Sequence, residues 1–115
     1  AYPGVANAKL NGKLTQQEDL ADLVGVELAW EAFTNTQLAP NQGAKQTFFR
    51  SWSELWAQQV LPSEAAQRLA TDVHAPGQWR SNGPLANLPA FGESFSCKAG
   101  QAMRRSNAEQ ISIWR

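Results

Sequence analysis

Histidine and cysteine are nearly absent from this chain: His74 and Cys97 are single copies among 115 residues. One cysteine excludes an internal disulfide and says little about compartment. Charge of one sign is missing too, with ten Lys+Arg against ten Asp+Glu. That balance leaves no basic footprint for nucleic acid and no polybasic patch for a membrane surface. No apolar run approaches the ~20 residues that span a bilayer, and no secretory signal is visible at the start. There is no internal repeat and no low-complexity tract. The first residue is not Met, so further chain is expected upstream of Ala1.

What is present points to one domain at most, or part of one. The length allows roughly two-thirds of the unfolded surface to be buried, enough for one modest core. Hydrophobic residues at 43% against 17% charged exclude a disordered chain. Five tryptophans (Trp30, Trp52, Trp56, Trp79, Trp114) supply a large aromatic surface, part of which is expected to face something outside this chain.

Residues 1–14, rich in Gly, Pro and Asn, read as a looped lead-in. Thr15 and Glu18 fit a capping box, predicting a helix from Thr15 to about Thr34. On it Leu20, Val24 and Leu28 form one apolar line, and Val26, Trp30 and Phe33 a second. Glu18, Asp22, Gly25 and Ala29 form a third line, acidic and then small, so the helix is expected to be covered on most sides. Residues 34–45 read as a loop. Aromatics at helical spacing predict a helix over 46–60. Pro62 and a Ser63 cap open another helix at 63–72. The stretch from Val73 carries Pro76, Pro84 and Pro89 with Gly77, Gly83 and Gly92, and reads as irregular loop followed by a short helix at 89–96. The β-branched "ISIW" at 111–114 predicts a short strand. The fold class is mostly α with long loops.

Few residues here carry chemistry. Glu18 and Asp22, four apart, share one helix face. Either they are a capping-box member and its solvated neighbour, or a metal or cationic group sits over Glu18 with Asp22 behind it. His74 follows Asp72 by two residues, close enough for the carboxylate to fix the imidazole tautomer. Arg80 presents a planar fork suited to a carbonyl or carboxylate, unless it is an ordinary surface ion pair. Cys97 reads as structural, and Leu55 and Trp56 by their spacing as core.

Four segments, in one order, resemble the neprilysin-like family of zinc metalloendopeptidases. "NGKLTQQEDLAD" is similar to that family's NGxLTxxENIAD, and "FFRSWSELW" to its FFxSFAQVW. "TDVHAPGQWRSNGPLANLPAF" is similar to TDxHSPxxFRxNGPLxNxPxF, while "FSCKAGQAM" and "ISIW" match its C-terminus. The resemblance implies a hydrolase, a peptidase cleaving peptides on the amino side of hydrophobic residues. The chain would be the C-terminal helical subdomain of a thermolysin-like catalytic domain, spanning 1–115. It implies Glu18 as third zinc ligand, and Asp22 as the residue that orients a zinc-bound histidine. It implies His74 as stabiliser of the oxyanion while zinc-bound water attacks, with Asp72 holding that histidine. It further implies Arg80 as contact to the substrate backbone, and Leu55 with Trp56 as part of the pocket for the residue after the cleaved bond.

Two positions depart from the pattern: Asp19 stands for Asn, adding a charge beside Glu18, and Leu55 stands for Val. The larger departure is that the family's His-Glu-x-x-His helix, with its general base, is not in this chain. The expected partners are therefore a peptide substrate and the missing N-terminal part of the same protein, with an incomplete zinc site and no activity in this chain alone. Self-association of the uncovered apolar faces is a further expectation. A catalytically silent peptide- or protein-binding module derived from such a peptidase is the alternative. Relatives act in several compartments. An extracellular or periplasmic location is expected over a cytoplasmic one, and the scarcity of cysteine points to a bacterial source.

Overall fold

The computed structural model describes residues 8–36 and 40–114, and they contain five helices and no strand. These are α1 (Gly12–Thr36), α2 (Gln42–Leu55), α3 (Pro62–Thr71), α4 (Gly77–Asn87) and α5 (Pro89–Ser94). The all-helical expectation holds. The first half of the lead-in expected over 1–14 lies outside the described residues, and its last three residues belong to α1. No helix among those described is long and apolar enough to cross a membrane.

α1 begins three residues before the expected start. Asn11 Oδ1 accepts from the Lys13 amide, and the Asn11 carbonyl accepts from Leu14 and Thr15. Asn11 thus serves the first free amides of the helix, the role expected of Thr15. Thr15 is buried inside the helix and donates its hydroxyl to Asp19 Oδ2 at 2.7 Å. The charge added at Asp19 is therefore used within the helix's first turns.

Only one face of α1 is covered, which corrects the expectation of cover on most sides. Leu23 and Val26 are buried, whereas Leu20, Leu28, Gly25 and Ala29 are exposed. The core is built where Val26 meets Phe49 of α2 with Leu85 and Leu88. Trp30 stacks on Phe49 and meets Phe48 edge-on, and Phe91 meets Phe49 edge-on from α5. The aromatic spacing noted in the sequence is thus core-forming at Phe48, Phe49 and Trp52, whereas Leu55, expected by the same spacing in the core, is 71% exposed where α2 ends.

α2 starts earlier and ends earlier than expected, because Asn41 caps Ala44 and the helix stops at a cap on Trp56. Val60 lies outside it. In α3, Pro62 takes the first helical turn as expected, but Leu61 rather than Ser63 sits at the cap, with no side-chain hydrogen bond.

The largest correction concerns residues 77–87, read as loop and found as helix α4. Two tertiary contacts outweigh its Gly and Pro content. A Cβ at Gly77 would stand 2.2 Å from the Trp56 carbonyl, so only glycine allows the end of α2 to approach the start of α4. Pro84 lies inside the helix and cannot donate to the carbonyl of Arg80, four residues back. The indole Nε1 of Trp52 donates to that carbonyl instead, at 3.3 Å. α5 then forms as expected, with Pro89 in its first turn.

The strand expected at 111–114 is not formed. Its backbone meets a side chain rather than a neighbouring strand: Asn87 donates Nδ2 to the Ile111 carbonyl at 2.7 Å and accepts the Ile111 amide on Oδ1 at 2.8 Å. With both groups of Ile111 satisfied by one buried amide, and no strand among the described residues to pair with, β-propensity alone makes no sheet.

Candidate functional site

The two chemistry-bearing clusters lie on α1 and on the segment that leads into α4. Asp22 occupies the covered face of α1, one turn beyond Glu18. Opposite it α4 presents Arg80, whose Nε and Nη2 donate to Asp22 Oδ2 at 2.7 Å and Oδ1 at 2.8 Å. This fork-to-fork pairing is the strong form of a carboxylate–guanidinium contact. Its side chains are 10% and 19% exposed, so the pair is shielded rather than solvated. The hydrogen bonding of its N–H groups to the Asp22 carboxylate holds the Arg80 guanidinium above its ordinary range, outweighing the opposing effect of burial, so Arg80 stays charged throughout. Its guanidinium carbon lies 3.8 Å from the centre of the Trp56 ring, a cation–π contact. The Trp56 indole N–H is buried without a partner among the described residues.

The second cluster is more open. The loop after α3 turns back at Asp72, whose Oδ1 accepts from the His74 amide and from His74 Nδ1, both at 2.9 Å. The backbone amide, followed by the ring contact, pulls the Asp72 carboxyl below its ordinary range. An ionised carboxylate only accepts, so the proton of the ring contact sits on Nδ1. That leaves Nε2 facing outward, 3.5 Å from Glu18 Oε2, and able to donate only when the ring is protonated. The side chains of His74, Glu18 and Asp72 are 44%, 41% and 38% exposed.

The structure therefore brings Glu18, His74 and Asp72 together, and Asp22, Arg80 and Trp56 beside them. A cleft of about 140 Å³ runs between Asp72, His74 and Arg80 over Ala65 and Ala75. On the other side of Asp22 and Arg80 lies a larger groove of about 420 Å³, walled by Leu20, Leu23, Trp79, Pro84 and Ile111. Leu55 is not gathered in: it is 71% exposed at the end of α2 and lines neither space. Asp22, expected to orient a histidine, has both oxygens on Arg80, each keeping a further lone-pair site.

Residues for zinc do not form a full set here. Glu18 offers one carboxylate, and among the described residues no three His, Cys, Asp or Glu side chains cluster closely enough to hold a metal ion. A catalytic zinc takes roughly three protein ligands.

The sequence reading missed Trp52 as a partner of Arg80. The signal was Pro84, which four residues on deprives the Arg80 carbonyl of its helical donor. It carried no weight while the segment read as loop.

Comparison with known proteins agrees with the order of motifs. The model of peptidase family M13 matches residues 1–111. Neprilysin-21 of Caenorhabditis elegans is 33% identical over 118 aligned residues, covering 92% of this chain and 15% of that protein. Membrane metallo-endopeptidase-like 1 of Mus musculus is 36% identical over 106 residues, 84% of this chain and 14% of that protein. The neutral endopeptidase of Lactococcus lactis subsp. lactis (strain IL1403) is 32% identical over 104 residues, 90% of this chain and 16% of that protein. The chain thus spans about one-sixth of the length of these relatives. No solved structure matches it.

Proposed function

Because this chain belongs to peptidase family M13, we propose that it forms the C-terminal subdomain of the catalytic domain of a zinc endopeptidase. The observation that carries this reading is one shared wall. Glu18, His74 and Asp72 meet there beside the shielded Asp22–Arg80 pair, although they come from α1 and a loop more than 50 residues later.

In this reading Glu18 supplies one zinc ligand, and the others come from a His-Glu-x-x-His helix outside this chain. Zinc, when bound, supplies Lewis-acid polarisation of the scissile carbonyl and an acidified water. The chain's own residues bind and orient. His74, its Nδ1 proton held by Asp72, aims Nε2 at the position where negative charge develops and donates there in its protonated form. Arg80, held flat by Asp22 and Trp56, keeps its other N–H groups for a backbone carbonyl of the peptide. Trp56, with Leu55 exposed at the end of α2, supplies one edge of a pocket that the upstream part of the domain completes for a hydrophobic residue after the cleaved bond. The uncovered face of α1, with exposed Leu20 and Leu28 beside Gly25 and Ala29, receives the remainder of the domain at close range.

The test is a fusion of this chain, in frame, behind the upstream part of the Lactococcus neutral endopeptidase. The fusion should cleave peptides before hydrophobic residues in a zinc-dependent way, and the chain alone should not. His74→Ala should lower kcat by about 100-fold or more, and Glu18→Ala should remove zinc and activity together. Cleavage by the chain alone, or a fusion indifferent to Glu18→Ala, contradicts the proposal. A folded fusion that binds peptides and never cuts them would favour a silent binding module.

A further inference from the structure

We infer that Trp52 is a positioning residue for Arg80, acting through the main-chain carbonyl that Pro84 leaves without a helical donor. This deepens the proposed role of Arg80 and rests on that role for its functional meaning. Trp52 reaches Arg80 by two routes. Its Nε1 donates to the Arg80 carbonyl at 3.3 Å, from α2 to α4. Its ring packs edge-on against Trp56, centroids 5.5 Å apart at 68°, and Trp56 is the ring on which the Arg80 guanidinium lies. One side chain therefore fixes the backbone of Arg80 and supports the surface under its head group. The neighbouring Ser81 hydroxyl donates to Ser53 at 3.0 Å, so the two helices are tied at consecutive α4 residues.

The chemistry depends on the pairing of tryptophan with proline. In a regular helix the amide of residue 84 would already satisfy the Arg80 carbonyl, and an indole there would add only a second bond on its remaining lone pair. With Pro84 the carbonyl is free, and in a half-buried place an unfilled acceptor is costly. A phenylalanine at position 52 would keep the edge-on packing and lose the hydrogen bond.

A double-mutant cycle on this chain tests the inference, using hydrogen exchange of the Arg80 Nε–H by NMR and urea unfolding as the global reference. Trp52→Phe should speed Arg80 Nε–H exchange about fivefold relative to any change in global stability. In the Pro84→Ala background, where the residue 84 amide can fill the carbonyl, the same substitution should have little effect. Equal acceleration in both backgrounds, or none in either, overturns the inference and leaves Trp52 as packing. A second measurement needs no variant: the Trp52 indole N–H should exchange more slowly than that of Trp114, which is 59% exposed. Equal rates would overturn the inference even if Trp52→Phe fails to fold. A cycle that shows coupling while Arg80→Ala leaves peptide binding by the fusion unchanged would sink only the substrate role of Arg80. An uncoupled cycle with impaired binding would sink only the role of Trp52.

Discussion

Glu18 and Asp22 stand one turn apart on α1, yet they live in different worlds. Asp22 lies against α4 with both oxygens committed to Arg80, and its side chain is 10% exposed. Glu18 is 41% exposed and, among the described residues, its one charged contact is the outer nitrogen of His74, at 3.5 Å. The same contrast extends to their partners. Arg80 is held by a carboxylate, a tryptophan face and, at its carbonyl, an indole N–H. His74 is held by one exposed carboxylate. The lesson is a division of labour: one end of the wall is locked by contacts within this chain, and the other stays exposed, where the proposed zinc and substrate would sit. Like charges four apart on a helix repel. Here Arg80 neutralises one of them, so the pair is tolerated.

Removing Arg80 attacks the assembled end and should have the largest effect. Arg80→Ala strands the Asp22 carboxylate in a shielded place and should cost about 3 kcal/mol in urea unfolding. A cost like that of a surface ion pair, below about 1 kcal/mol, would place Asp22 in solvent and erase the contrast. Trp56→Leu keeps an apolar body and removes the ring under the guanidinium, so a loss of about 1 kcal/mol is expected. At the open end His74→Ala should change stability by no more than about 0.5 kcal/mol, a null result in unfolding beside a large loss of activity in the fusion.

The smallest effect is one of pH. The Asp72 carboxyl is lowered chiefly by the His74 amide, so the folded form favours its ionised state. A depressed carboxyl contributes stability that is complete above its ordinary value of 3.8 and is lost as the pH falls below it. The His74 amide resonance should follow that titration with a midpoint below 3.8, and Asp72→Asn should abolish it. A midpoint at or above the ordinary value would mean that the turn is not formed.

Local spacing made part of this legible in the sequence. The aromatics of α2 recur at helical intervals and form the core with Trp30, and the two-residue step from Asp72 to His74 builds its own turn. What could not be read locally is what depends on distant groups. Asp22 and Arg80 are 58 positions apart, and nothing near either one announces the pairing. Residues 77–87 read as loop because Gly77 and Pro84 disfavour helix by themselves. A carbonyl from α2 requires the glycine, and an indole from α2 compensates the proline. The "ISIW" segment failed in the opposite sense: its β-propensity is real, but Asn87 takes the backbone groups of Ile111 that a strand would have paired. The motifs that carried the family resemblance proved sounder than the local structure inferred around them, since the matched span covers residues 1–111.

The most direct test compares one chemical change at two places on one helix: urea unfolding of Asp22→Asn and Glu18→Gln. Each substitution removes a charge and preserves shape. The account predicts a loss of about 3 kcal/mol for Asp22→Asn, which leaves the Arg80 charge unmatched, and a change within about 0.5 kcal/mol for Glu18→Gln. Equal effects at the two positions would contradict it, because Asp22 would then be as open as Glu18.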